Sequence, residues 1–176
     1  ETGADRADDL ERIAMNFGPE NIAACIVEPI AGSTGTLVPP KGYLQKLRET
    51  CDKHGILLIF DEVITGWGRT GSSFASIEYG VTPDIMTMAK ATTNGVVPMG
   101  VVACKDEIYD SVMDASPMGS VELFHGYTYS GIPVAVAAAL AVQDIFEKED
   151  IFTRAKNLAP NLQKGLFSLQ DLESVE

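Results

Sequence analysis

Two apolar runs, Ile56 to Phe60 and Ile85 to Ala89, each end on a charged residue, Asp61 after the first and Lys90 after the second. Runs without polar alternation read as buried strands of an open α/β sheet, and such sheets collect ligands just beyond the carboxyl ends of their strands. An acid and a primary amine placed there face one crevice. The chemistry that needs such a pair is an electron-sink cofactor held as a Schiff base. A lysine amine forms an imine with the aldehyde of pyridoxal phosphate, while a carboxylate pairs with the ring nitrogen and keeps it protonated. Each residue also has a plainer role. A lysine ending a strand is usually a solvated edge residue, and an apolar strand ending in Asp-Glu is also how a nucleotidase presents the acid that holds magnesium. That second role requires a GxxxxGK[ST] phosphate loop, and the sequence has none.

The elements around the pair follow from periodicity and punctuation. Asp8 to Met15 predicts an amphipathic helix closed by Gly18-Pro19, and Ile22 to Val27 a buried strand with Glu28-Pro29 at its end. Glu28 is a third acid at the same sheet edge. It is either buried beside Asp61, where it would need a shared proton or hydrogen bond, or a solvated loop acid. A helix through Tyr43, Leu44, Leu47 and Cys51 closes at His54-Gly55, with His54 read as a helix-end cap. Beyond Phe60, extended residues alternate in direction, so Asp61 and Val63 share a side that Glu62 leaves. Val63 is then an apolar surface for a planar ring or plain core.

Gly66, Gly68 and Gly71 spell GxGxxG, but the dinucleotide fingerprint needs its glycines at a strand-to-helix turn followed by a full helix and a later acid. Here the first glycine falls five residues after Asp61, Ser73 to Tyr79 is barely two helical turns, and Asp84 precedes its strand. The segment reads instead as a tight loop, with Trp67 and Arg69 shaping a site entrance or subunit contact. Lys90 is expected to be partly desolvated, which favours the neutral, nucleophilic amine. A second apolar run, Val96 to Ala103, is broken by Pro98, Lys105 to Met113 predicts a helix and Asp114 to Val121 an exposed loop. FHGYTYSG, Phe124 to Gly131, leads into an alanine-rich helix, Ile132 to Phe146. Thr128 there can meet a phosphate, or Thr128 or Ser130 can simply cap the helix. Ile151 to Leu169 predicts an amphipathic helix kinked or broken at Pro160.

Composition excludes several classes. With 45% hydrophobic residues the chain can build a core, and 13 basic against 25 acidic residues give a net charge of −12, which disfavours nucleic acid or an anionic membrane as partner. Cys25, Cys51 and Cys104 with two histidines and no CxxC argue against a disulfide framework and against a metal site. The longest apolar run, Ile132 to Val142, is too short to span a bilayer, so no membrane role and a cytoplasmic location are expected.

FDEVITGWGRTG, GVTPDIMTMAKATTNGVVPMG and FHGYTYSG, in this order, resemble the large domain of the class III (omega) aminotransferases, which are pyridoxal-phosphate enzymes of fold type I. EPIAGSTGTLVPPKGYL, Glu28 to Leu44, is similar to the branch that moves amino groups from omega-amino acids such as β-alanine to pyruvate. The resemblance covers nearly the whole chain. It implies an α/β fold with a mostly parallel sheet and helices on both faces, incomplete at both ends. Residues 1–150 would be part of the cofactor-binding large domain, and 151–176 a connection toward a small C-terminal domain. It implies Lys90 and Asp61 as catalytic residues, Val63 against the cofactor ring, Glu28 behind it, and Thr128 reaching the phosphate of a neighbouring subunit's cofactor. It also implies amine and keto-acid substrates, a homodimer or dimer of dimers, and no turnover for this stretch alone. Ser33 stands where several glutamate- or ornithine-using relatives carry glutamate, which favours pyruvate. A diamine aminotransferase or aminomutase shares these motifs, and a non-catalytic nucleotide-binding α/β module is the reading from another class.

Overall fold

The computed structural model describes residues 3–118, 123, 125–172 and 174. A four-stranded sheet, in the order β1 (Ala24–Val27), β2 (Leu57–Asp61), β3 (Ile85–Met88), β4 (Val101–Cys104), forms its centre. β1, β2 and β3 are parallel, with Ile26 opposite Ile59 and Phe60 opposite Met86, while β4 returns antiparallel to β3. Parallel neighbours need crossovers, and α1 (Asp8–Phe17) and α2 (Tyr43–His54) pack together on one face to cover them. The open α/β sheet is the one the apolar runs predict, and its mostly parallel order is what the resemblance implies.

β2 shows how the faces divide. Leu58 and Phe60 are fully buried and join Leu44, Leu47 and Cys51 of α2 and Ala14 of α1 in the main core, whereas Leu57, Ile59 and Asp61 alternate onto the opposite, half-buried face. That second face looks across a cavity toward α5 (Pro133–Lys148), so helices stand on both sides of the sheet. β1 departs from expectation: its residues alternate between exposed and half-buried, with Ile26 well exposed, because within the described residues only its α2 side is packed. It is also shorter than predicted, since Pro19–Asn21 form a 3-10 turn that delays entry into the sheet. β4 begins only at Val101, beyond Pro98, whose missing N–H cannot serve a ladder, and the earlier Val96 turns back to bond the Thr93 carbonyl.

Two polar clamps hold the crossovers. Asp84, buried just before β3, accepts Arg48 Nη1 from α2 and the Leu58 amide from β2, both on Oδ2 at 2.7 Å, and Lys105 Nζ on Oδ1 at 2.7 Å. Burial alone would raise its pKa, but the hydrogen bonds from Lys105, the Leu58 amide and Arg48 outweigh it and hold the carboxyl below its ordinary value of 3.8. This clamp lies at the end of the sheet opposite Asp61. At the other clamp His54 does not cap its own helix. Gly55, at φ 67°, closes α2 with its N–H on the Cys51 carbonyl, and His54 Nε2 instead meets Glu11 Oε2 of α1 at 2.8 Å.

α4 (Asp106–Ala115) runs two residues further than predicted, and Val121, the end of the expected loop after it, lies outside the described residues, as does Phe124 of FHGYTYSG. α3 is short (Ala75–Tyr79), and α6 (Ile151–Phe167) passes through Pro160 without the expected break, one missing N–H being too little to end it. No described helix is long and apolar enough to cross a membrane.

Candidate active site

Asp61, the last residue of β2, pairs with Thr87 in the parallel ladder, and Lys90 follows Thr87 by three residues as the first of a 3-10 turn, Lys90–Thr92. Adjacent strands in a sheet lie about 4.8 Å apart, so carboxylate and amine leave from neighbouring strands at one sheet edge. The ladder extends one bond further, from the Glu62 amide to the Thr87 carbonyl at 2.9 Å. Asp61 is half-buried, and its Oδ1 accepts the Val63 amide at 3.0 Å. Among the described residues that is the carboxylate's one hydrogen bond, so its other oxygen is free for a donor brought by a ligand.

Lys90 sits at φ 43°, in the left-handed region that costs a side-chain-bearing residue of order 1 kcal/mol and persists only where its surroundings enforce it. It is exposed. The expected partial desolvation is therefore absent, because the turn lies beyond the strand end and past the packed part of the sheet.

A cavity of about 550 Å³ opens at this edge. Val63, Thr87 and Ala89 line it from the sheet side, Met99 to Val102 from β4 and its approach, Tyr127, Tyr129 and Ser130 from the loop before α5, and Ala135 and Val136 from α5 itself. Val63 thus forms apolar wall rather than core. Asp61 and Lys90 are not lining residues, but each sits within two positions of one. Thr128 is exposed on the loop whose neighbours line the cavity. Neither Thr128 nor Ser130 caps α5: the cap position is Ile132, without a side-chain bond, and Ser130 Oγ accepts the Tyr127 amide at 2.9 Å. Glu28 follows Val27, which pairs with Phe60, so it stands beside Asp61 at the strand ends. Its Oε2 accepts the Gly32 amide at 2.9 Å and so ties down its own loop.

Sequence reasoning passed over Glu62. It is fully buried, and its carboxylate accepts Thr65 Oγ1 at 3.0 Å and the amides of Ala75 and Ser76 at 2.7 and 2.8 Å. The alternation that sends Asp61 to the cavity face sends Glu62 to the first turn of α3, where it closes the loop 62–76. No local signal marks this, since the donors are backbone amides far along the chain. Within that loop Gly68 has φ 89° and an added Cβ would lie 2.4 Å from the Phe152 ring, while Gly71 at φ 85° faces Lys156. The glycines admit α6, not a phosphate. Trp67, expected at an entrance or subunit contact, is half-buried within the chain, with its ring 4.9 Å from Phe74 and 6.3 Å from Phe146. Arg69 and Ser33 line a second cavity of about 630 Å³ against Ala155 and Ala159 of α6.

These residues fit pyridoxal phosphate in kind: a strand-end carboxylate with an open oxygen, an apolar Val63 wall, an accessible primary amine on the next strand, and a hydroxyl loop near a helix start. No cluster of three or more metal-ligating side chains occurs among the described residues.

The comparisons with known proteins agree. The chain is 55% identical over 175 residues to an omega-aminotransferase of Caulobacter vibrioides and 52% identical over 174 residues to a beta-alanine--pyruvate aminotransferase of Pseudomonas aeruginosa. These alignments take in 99% and 98% of this chain but 40% and 39% of those proteins, so the chain spans about two fifths of the length of the relatives it matches. An amine transaminase from an uncultivated Pseudomonas species, solved in its PLP-bound form, superposes with a TM-score of 0.89 at 43% identity, covering 96% of this chain and 38% of that one. The family model described as "Aminotransferase class-III" matches residues 3–176. The chain belongs to the class III aminotransferases.

Proposed function

We propose that the protein carrying this chain is a pyridoxal-phosphate-dependent transaminase that moves an amino group from an omega-amino acid to pyruvate. The observation that carries the proposal is the pairing of β2 with β3, which delivers Asp61 and Lys90 to one sheet edge beside an apolar cavity. The cofactor supplies an electron sink for the carbanion formed when the substrate loses its proton. Lys90 would hold the cofactor at its aldehyde carbon through Nζ, with the aldehyde oxygen leaving as water, and its amine, when free, would carry the substrate's proton on Nζ, a positioned transfer worth about 10² to 10⁴ in rate. Asp61 accepts a hydrogen bond from the ring nitrogen and holds its proton in place. Val63 orients the ring by contact with its face. Glu28 steadies the neighbouring loop, and Thr128 donates to the phosphate bound by a second copy of the chain, which makes a homodimer the working unit. Serine at position 33, in place of an acid, suits an acceptor without a second carboxylate.

The relatives named above support the omega-amino acid and pyruvate by likeness. Formation of alanine from β-alanine and pyruvate by the full-length protein with pyridoxal phosphate tests the reading. Turnover is expected in the native protein and none in Lys90→Ala. Turnover of a diamine with no response to β-alanine would replace the donor, and binding of nucleotide in place of pyridoxal phosphate would replace the whole reading.

A further inference from the structure

Lys90 stands in a left-handed conformation that a lysine does not adopt unaided, so something must hold it there. The Lys90–Thr92 turn is fixed from both ends. The Ala89 carbonyl, immediately before Lys90, accepts the Thr92 amide at 2.9 Å and Thr92 Oγ1 at 3.0 Å, and the Lys90 carbonyl accepts the Gly95 amide at 3.2 Å. Thr92 is buried, at 3% exposure, and its hydroxyl is engaged twice. As it donates to Ala89, it accepts Trp67 Nε1 at 2.9 Å. A hydroxyl that accepts one bond is polarised toward donating the other, so the two bonds strengthen each other.

Trp67 is itself immobilised. It too has positive φ, at 59°, its amide donates to the Ser73 carbonyl at 2.6 Å, and its ring lies between Phe74 and Phe146 of α5. Phe146 continues to Phe152 of α6, 5.3 Å away. The loop that hangs from the Asp61 strand therefore reaches the lysine turn through the Trp67 indole N–H, braced by two helices.

We propose that Trp67 and Thr92 are positioning residues that set the presentation of the Lys90 amine, with the glycine-rich loop acting as the strut. The proposal rests on the reading of Lys90 as the cofactor-binding amine. It gives a function to the GWGRT segment, none of whose residues lines the cavity beside Asp61 and Lys90. In its absence the turn can relax toward negative φ, which swings the Lys90 side chain away from the edge it shares with Asp61.

The test is covalent capture of Lys90 in the full-length protein by pyridoxal phosphate and borohydride, followed by peptide mass mapping, in Trp67→Phe, Thr92→Val and Thr92→Ser. Phenylalanine keeps the ring packing without the donor, valine keeps the shape without the hydroxyl, and serine keeps the hydroxyl. Loss of one hydrogen bond that only orients a reacting group is expected to slow Lys90 capture by about tenfold in Trp67→Phe and in Thr92→Val. The two effects should not add, and Thr92→Ser should restore the native rate. A merely structural role predicts a lower melting temperature with Lys90 capture unchanged in the molecules that remain folded. That outcome, or additive effects, overturns the proposal, and if Thr92→Val fails to fold, Trp67→Phe alone decides it. No capture at Lys90 in the native protein would instead overturn the reading of Lys90 itself.

Discussion

The amide of Ser76 donates to Glu62 Oε1 at 2.8 Å, fourteen residues along the chain, while the acid next to Glu62 turns the other way toward the cavity face. Consecutive carboxylates thus divide the work: Glu62 closes the loop from the inside, and Asp61 keeps an oxygen open at the edge.

This division predicts opposite outcomes for two amide substitutions. Glu62→Gln replaces an acceptor-only group that serves three donors in the interior, and should destabilise the protein by about 2 kcal/mol. Asp61→Asn keeps an oxygen for the Val63 amide on a half-buried side chain, and should change stability by under about 0.5 kcal/mol while removing turnover. Urea unfolding alongside an alanine-formation assay checks both. Equal stability losses would show that the two acids are not so divided.

Asp84 predicts a pH dependence. Its carboxyl is held below its ordinary value, so the stabilisation it provides is present above the unfolded-state pKa of about 4 and is lost as pH falls through the lower folded-state value. Asp84→Asn leaves Arg48 and Lys105 without their charged partner and should cost about 3 kcal/mol at neutral pH. Melting curves of the native protein and Asp84→Asn should converge as the pH drops below about 4. A gap that stays constant into acid would show that ionisation of Asp84 is not what the clamp uses.

Gly68 predicts a steric limit. At φ 89°, with a Cβ placed 2.4 Å from the Phe152 ring, Gly68→Ala meets both backbone strain and a clash, and should lose about 2 kcal/mol or more. Phe152→Leu should recover part of that loss in the double variant but not the part due to φ. Differential scanning calorimetry of the four proteins separates the two contributions.

The strands ending beside Asp61 and Lys90 were legible because apolar runs need no long-range information, whereas their order in the sheet came only with the fold. Chain alternation also placed Asp61, Val63 and Glu62 on the correct sides. What periodicity cannot carry is the partner of a side chain distant in sequence. Glu62 finds backbone amides on α3, Trp67 finds Thr92, and His54 finds Glu11 rather than its own helix end, and each pairing exists only once helices have packed. β1 read as buried because an apolar run records what the sheet prefers, not which face this stretch of chain covers. The exposure of Lys90 was misjudged for a related reason: a strand-end residue inherits its environment from the turn that follows, and that turn is set by Thr92 and Trp67.

The central claim is that Lys90 and Asp61 bind opposite ends of one pyridine ring. Borohydride reduction of the full-length protein with pyridoxal phosphate, followed by peptide mass mapping, addresses it most directly. The account predicts one phosphopyridoxyl group per chain, on Lys90, with capture sharply reduced in Asp61→Asn although Lys90 is intact. A label on another lysine, or capture at Lys90 indifferent to Asp61, would contradict it.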